Sequence, residues 1–388
     1  MADPPRRHYL DHASTSPARP EVVAAMTTWL TRPMGDPGRV HTEGMAARVA
    51  VEQAREHVAG LLGARSREVV FTSGATEAIA AAVWGAAGRG AHQVVTAVEH
   101  SAVRENAAAA GEVTIVGVDR LGRVDPEAVA AAVRTGTACV HVQWANHEVG
   151  TVQPVAEVVA RVRAVGPGAL VHVDAAMAAG HVPIDFGALG ADLLSVSAHK
   201  FGGPPGVGAL IVRRGLRLRA LLRGGDQERA RRAGYENVPA IIGFGAAALA
   251  LGADPLASEA TEARRLTDRV LAAVAGGSDD DLVVYGDPID RLPHLVCLGV
   301  PGIEPQAVLF GLDRLGVAAH SGSACASEGL EPSPVLEAMG VDAHRSLRLS
   351  TGWSSTDDDI DALLDALPRV IGELRALGPI GQRGSGAR

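Results

Sequence analysis

The stretch "LLSVSAHKFGGPPGVGALIV", residues 193–212, decides how the fold is read. An apolar run ends at a single basic residue, Lys200. A turn dense in glycine and proline follows, and a second apolar run closes the stretch. Runs this short and this continuously apolar suit strands buried on both faces, the habit of parallel sheets. Upstream the same pattern recurs as "EVVFTS", "QVVTA", "VTIVGV", "ACVHVQ" and "ALVHVD", with alanine-rich helical stretches between. That alternation predicts an α/β fold whose large domain holds a mostly parallel seven-stranded sheet with helices on both faces.

Beyond the sheet, a loop is expected over 253–258, followed by a long charged helix, "SEATEARRLTDRVLAAVAG". Strands near Leu282 and Leu295, a helix near Gln306 and an amphipathic helix from about Thr356 to Leu377 come next. They predict a smaller α+β domain completed by the N-terminal segment. The expected division is 16–252 for the large domain, 1–15 and 253–377 for the small one, and a flexible tail over 378–388. No internal repeat is evident.

With 388 residues, 47% hydrophobic and 21% charged, the chain suits one large soluble subunit of two domains. A formal charge of −8 recruits neither nucleic acid nor an anionic membrane, so no direct nucleic-acid or membrane partner is expected. "MADPPRRHYL" lacks the apolar core of a signal peptide, and the apolar stretch from Ile241 is too short to span a bilayer. A cytoplasmic location is expected. Cys139, Cys297 and Cys325 make no disulfide framework and have no zinc-ligand spacing, so a functional cysteine would act as a free thiol.

In open α/β sheets ligands bind beyond the carboxyl ends of the strands. After "FTSG", Ser73, Gly74 and Thr76 lead into an alanine-rich helix, a geometry that aims backbone N–H groups and a hydroxyl at an anion such as phosphate. The alternative is an ordinary glycine turn. His100 ends another strand, and Asn146 and Glu148 another; each could equally be a cap or a satisfied polar residue. Asp174 could cap a helix or present a carboxylate to a ring nitrogen. His172, Asp174 and His199 are metal-ligating residue types, but the alternation of side chains across a strand is expected to part them, and no metal is expected. Lys200 sits where partial burial would lower its pKa and free a neutral, nucleophilic amine. A phosphate cradle, a carboxylate for a pyridinium nitrogen and a Schiff-base lysine together point to pyridoxal 5'-phosphate.

The stretches "TSGATE", "EHSAV", "NHEVGTVQP", "HVDAA", "SVSAHK", "RRAGYENV", "SGSACASEGLEPS" and "LRLSTG" carry a resemblance that runs from Tyr9 to the last helix. The sequence resembles the cysteine desulfurases of the NifS/IscS type, within the class V pyridoxal-phosphate aminotransferase superfamily of fold type I. The resemblance implies that Lys200 anchors the cofactor covalently, Asp174 pairs with its pyridine nitrogen, and His100 stacks on the ring; an unperturbed imidazole pKa near neutrality makes His100 the candidate proton shuttle. Ala75, Thr76, Ser197 and His199 would cradle the phosphate, Asn146 would contact ring or substrate, and Arg348 would clamp the substrate carboxylate. L-cysteine would become L-alanine, with the Cys325 thiolate attacking the substrate sulfur to leave a persulfide for a protein sulfur acceptor. The resemblance also implies a homodimer in which the loop holding Tyr235 reaches the partner's cofactor phosphate.

Four departures stand out. Met177 occupies the place where the family has Gln, a donor to the cofactor's phenolic oxygen, and Met cannot donate. Tyr235 stands for the usual Thr; Asp36 and Gly38 stand where Asn and Ser are common; and Trp353 replaces a frequent Arg. The family's scaffold-binding C-terminal extension is not evident. The run from Arg213 to Arg232 holds eight arginines, read either as a seat for phosphate or an acidic acceptor, or as a solvated face with ion pairs. The competing functions are a cysteine C–S lyase or another class V reaction, and a non-catalytic, degenerate homologue.

Overall fold

The computed structural model describes residues 7–276, 282–322 and 332–377. In chain order it begins with β1 (His8–Tyr9), α1 (Pro20–Leu30), α2 (Thr42–Leu61), β2 (Val69–Thr72), α3 (Ala75–Ala86), β3 (His92–Thr96), α4 (Ser101–Ala110) and β4 (Glu112–Val116). The middle holds α5 (Pro126–Ala131), β5 (Thr137–Gln143), α6 (Val155–Val165), β6 (Leu170–Asp174), α7 (Phe186–Leu189), β7 (Leu193–Ser197) and β8 (Gly208–Val212). A one-turn α8 (Gln227–Ala230), α9 (Val238–Ala250) and α10 (Ala253–Ala275) follow. The last stretch adds β9 (Val283–Tyr285), β10 (Leu295–Gly299), α11 (Pro305–Arg314), β11 (Val317–Ala318), α12 (Pro334–Met339), β12 (Ser346–Ser350) and α13 (Asp357–Leu377).

All seven predicted runs are strands of one sheet, in the order β2-β8-β7-β6-β5-β3-β4. Pairings among β4, β3, β5, β6 and β7 are parallel, whereas β8 lies antiparallel to both β7 and β2. The β7–β8 connection, residues 198–207, is too short for a crossover helix, so the chain can only turn back antiparallel. One strand departs from the expectation of burial on both faces. β4 is an edge strand, and Ile115 on it is 64% exposed.

The inner faces of the sheet feed apolar clusters on either side. Helices α2 and α9 cover one face through Val51, Ala54, Val58 and Phe244, and α3 covers the other through Ala78, Ala82 and Ala86. A separate cluster joins Leu10, Leu266, Val296, Leu298, Leu312, Leu347, Leu363 and Leu367. There β10 lies between β9 and β12 in an antiparallel sheet, while β1 pairs in parallel with β11.

The loop expected at 253–258 is helix. Pro255 falls in the first turn of α10, where its missing N–H has no intrahelical bond to lose. Among the described residues no single helix is long and apolar enough to cross a membrane, and the α9–α10 pair is bent by 78°.

Candidate active site

The carboxyl ends of β3, β5, β6 and β7 and the start of α3 surround a cavity of about 380 Å³. Lys200, Asp174, His100, Ala75, Thr76, Met177, Ser197 and His199 all line it. Asn146, Tyr235 and Arg348 are not among its lining residues. Cys325 lies outside the described residues.

Lys200 follows β7 in a tight turn that ends at Gly202, whose φ of +88° suits glycine. Its Nζ donates to the carbonyls of Ala13 at 2.7 Å and Ser14 at 3.1 Å. Burial, then the charge of Arg348, pushes its pKa down to about 8, which makes the neutral amine accessible near neutrality. Asp174 ends β6, its Oδ1 accepting from Ser195 Oγ at 2.9 Å and from the Ala176 N–H at 3.1 Å. Burial raises its pKa, while those two hydrogen bonds favour the carboxylate.

Across the cavity, α3 starts without a side-chain cap. The N-cap is Gly74, at φ +155°, and the first N–H groups of any helix have no intrahelical partner. Ser197 and His199 stand at the same wall, so an uncapped helix end, a hydroxyl and an imidazole surround one space. A phosphate fits that seat by charge and by donor count.

His100 caps α4, its Nδ1 accepting from the Ala102 N–H at 3.0 Å. Burial, then His147 and Lys200, pushes its pKa down to about 3. This corrects the basis on which it was read as a proton shuttle: the ring does not titrate near neutrality, and its one proton sits on Nε2. His199 is likewise neutral, pushed by burial to about 4.

The remaining candidates fall behind the cavity wall or away from it. Asn146 spends its amide on its own loop and on the segment after β3: Oδ1 accepts from the N–H groups of Glu148 and Val149, each at 2.8 Å, and Nδ2 donates to Val98 O at 3.2 Å. That geometry differs from the ring or substrate contact expected of it. Arg348 is buried, donating to His147 O at 2.9 Å, Asp11 Oδ1 at 3.0 Å and Ser14 Oγ at 2.7 Å; its Nε has no partner among the described residues. Segment 11–14 therefore touches both Lys200 and Arg348. Tyr235 is exposed.

Strand periodicity also corrects the metal argument. Residues two apart share a face, so His172 and Asp174 point the same way rather than apart. Among the described residues no group of three or more His, Cys, Asp or Glu side chains could hold a metal ion. Cys139 and Cys297 are buried, and burial pushes both thiols well above the ordinary range.

Several lining residues went unread in the sequence. His147 packs edge-on against His100 with ring centroids 5.1 Å apart, and Gln143 lies on the wall with an unpartnered Nε2. Both lie in "QWANHEVG", where Asn146 and Glu148 drew attention; their position at the end of β5 was the available signal. Among the described residues, five of the eight arginines find partners for their side chains. Arg213 pairs with Asp192, Arg229 with Glu52 and Arg232 with Glu77, Arg231 donates to Arg67 O, and Arg219 stacks on Trp84. Trp353 donates to Pro17 O at 2.9 Å and lies under Arg19, and Asp36 caps the Gly38 N–H at 2.7 Å.

A strand-end lysine, a buried carboxylate and an uncapped helix start in one cavity of a mostly parallel sheet define the pyridoxal-phosphate enzymes of fold type I. The aminotransferase class-V family matches residues 8–363, and the chain belongs to it. It is 40% identical over 386 residues to "Cysteine desulfurase IscS 1" of Archaeoglobus fulgidus, covering 97% of this chain and 100% of the relative. It is 43% identical over 391 residues to "Cysteine desulfurase" of Cereibacter sphaeroides, covering 97% and 98%. A solved "NIFS-LIKE PROTEIN" superposes with a TM-score of 0.87 at 31% identity, over 95% of this chain and 100% of that one. Proteins of this family depend on pyridoxal 5'-phosphate, and the cavity has a place for each of its polar ends.

Proposed function

We infer that the chain is a pyridoxal-phosphate-dependent cysteine desulfurase that converts L-cysteine to L-alanine and leaves the sulfur as a persulfide on Cys325. The observation that carries this is Lys200, its amine lowered to about 8, in the same cavity as Asp174 and the open start of α3. The bound cofactor supplies an electron sink for negative charge developing at the substrate Cα.

The chain's own residues do the rest. Lys200 would hold the cofactor covalently, and its neutral Nζ would take the substrate Cα proton. Asp174 would keep the ring nitrogen protonated by its carboxylate, and His100, with its proton on Nε2, would pack on the ring. Ala75, Thr76, Ser197 and His199 fix the phosphate. Met177 lines the cavity and would offer the cofactor no hydrogen-bond donor. Arg348 receives the substrate carboxylate, with its Nε as an uncommitted donor. Asn146 supports from behind, ordering the loop that carries His147.

The Cys325 thiolate attacks the substrate sulfur, forming an S–S bond as the C–S bond breaks. The electron pair of that bond stays with the carbon fragment, which takes up one proton at Cβ, regains at Cα the proton held on Lys200 Nζ, and leaves as L-alanine. The persulfide then passes to a protein acceptor. The enzyme works in the cytoplasm as a homodimer, each Tyr235 reaching the partner's phosphate site. Residues 16–252 form the cofactor domain, with 1–15 and 253–377 as the smaller domain.

Borohydride trapping of the loaded protein, followed by peptide mass mapping, is expected to place the cofactor's mass on the peptide containing Lys200. Recovery of that mass on another lysine, or on none, would contradict the assignment.

A further inference from the structure

On the face of the sheet that α3 covers, a row of polar side chains crosses four strands beside an apolar cluster that includes Cys139, Leu170, Leu193, Leu210 and alanines of α3. Gln93, His141, His172 and Ser195 are each 0% exposed. Gln93 Oε1 lies 3.0 Å from His141 Nε2, and His141 Nδ1 lies 3.0 Å from His172 Nδ1. His172 Nε2 lies 3.2 Å from Ser195 Oγ, and Ser195 Oγ lies 2.9 Å from Asp174 Oδ1. A buried polar row is tolerable only where each donor meets an acceptor.

That condition fixes the protons. If Asp174 is ionised, the single hydroxyl proton of Ser195 must go to Oδ1, so Ser195 Oγ can only accept from His172, and His172 carries its proton on Nε2. Its bare Nδ1 then accepts from His141 Nδ1–H, which leaves His141 Nε2 bare. This last nitrogen needs a donor. Gln93 Nε2 has no partner among the described residues, and turning the amide by half a revolution brings it onto His141. Burial keeps both imidazoles neutral, His141 pushed to about 4 and His172 well below the ordinary range. Reversing every bond leaves Asp174 Oδ1 facing a serine lone pair, which demands a protonated carboxyl.

We propose that Gln93, His141, His172 and Ser195 form a one-way hydrogen-bond relay, every proton donated toward Asp174, that makes them positioning residues for its carboxylate. The proposal rests on the reading of Asp174 as the partner of the cofactor's ring nitrogen. The relay holds Oδ1 in place and leaves Oδ2 for the ring.

Nitrogen-15 spectra of histidine-labelled holoenzyme, assigned by single replacements, read the tautomers directly. The expected result is a proton on Nδ1 of His141 and on Nε2 of His172. In Ser195→Ala, His172 loses its acceptor and populates both tautomers, and kcat falls roughly tenfold with KM unchanged, the scale on which outer partners of a site act. A His172 proton on Nδ1, a charged imidazole, His172 signals identical in wild type and Ser195→Ala, or an unchanged kcat would overturn the proposal. The wild-type spectrum alone decides the direction if the variant does not fold. Failure of the cofactor reading shows separately, as full alanine formation by Lys200→Ala.

Discussion

Lys200 owes its chemistry to surroundings that disfavour its charge. Desolvation and the neighbouring Arg348 lower its pKa from the ordinary lysine range to about 8. The sign follows: above about pH 8 the amine is neutral and nucleophilic, and below it the ammonium is inert. Cofactor uptake by the apo-protein, followed by absorbance, is therefore expected to quicken as pH rises through about 8 and then level off. A rate independent of pH from 6 to 10 would contradict this. Met177 makes a second prediction, because a side chain without a donor leaves the cofactor's phenolic oxygen less stabilised. The visible absorption of loaded wild type and Met177→Gln should titrate at different pH values; coincident curves would assign the position no electronic role. Asp174 and Lys200 were legible as strand-end chemistry. The depressed titration of His100 was not, since it depends on burial, and then on His147 and Lys200 converging in space.

At the scale of elements, the single turn of α8 is held by a buried ion pair. Glu228, Arg229 and Ala230 take φ of 50°, 58° and 60°, left-handed values that side chains with a Cβ resist. Glu228 meets Arg55 of α2 through two bonds of 2.6 and 2.8 Å, both side chains almost wholly buried, and also accepts from the Phe71 N–H at 2.9 Å. Glu228→Ala leaves the buried Arg55 guanidinium with only Glu52 and Val69 O as hydrogen-bond partners among the described residues and frees a strained turn, so a loss of about 3 kcal/mol is expected in urea unfolding. A loss under 1 kcal/mol would mean that the pair is solvated. Helices α2 and α9 approach closely at Gly245, where an added Cβ would lie 2.5 Å from Ala54 Cα. Gly245→Val is expected to cost about 1–3 kcal/mol by wedging them apart, read as a lowered melting temperature. The strands were legible because burial on two faces writes itself as an unbroken apolar run. The start of α10 was hidden because Pro255 reads as a breaker until it is known to lie in a first turn.

For the whole molecule, the long-range arrangement was the least legible. Segment 11–14 is near the start of the chain, yet it supplies carbonyls to Lys200 and a carboxylate to Arg348. Nothing in local pattern brings residues 187 and 337 positions apart together. The resemblance pointed to Lys200 and Arg348 but not to segment 11–14; burial lowers the lysine, and Asp11 and Ser14 hold the arginine. The proposed dimer has its own test: sedimentation equilibrium should give twice the chain's mass, and a monomer at micromolar concentration would remove Tyr235 from the partner's phosphate site.

The central claim is tested most directly by measuring L-alanine released from L-cysteine by loaded wild type, Lys200→Ala and Cys325→Ala in the presence of a thiol reductant. Alanine from wild type, and at least a hundredfold less from either variant, is the result expected for a lysine-anchored cofactor and a cysteine that accepts sulfur, on the order of losing an essential catalytic group. Alanine formed at the wild-type rate by either variant, or pyruvate and free sulfide in place of alanine, would contradict it.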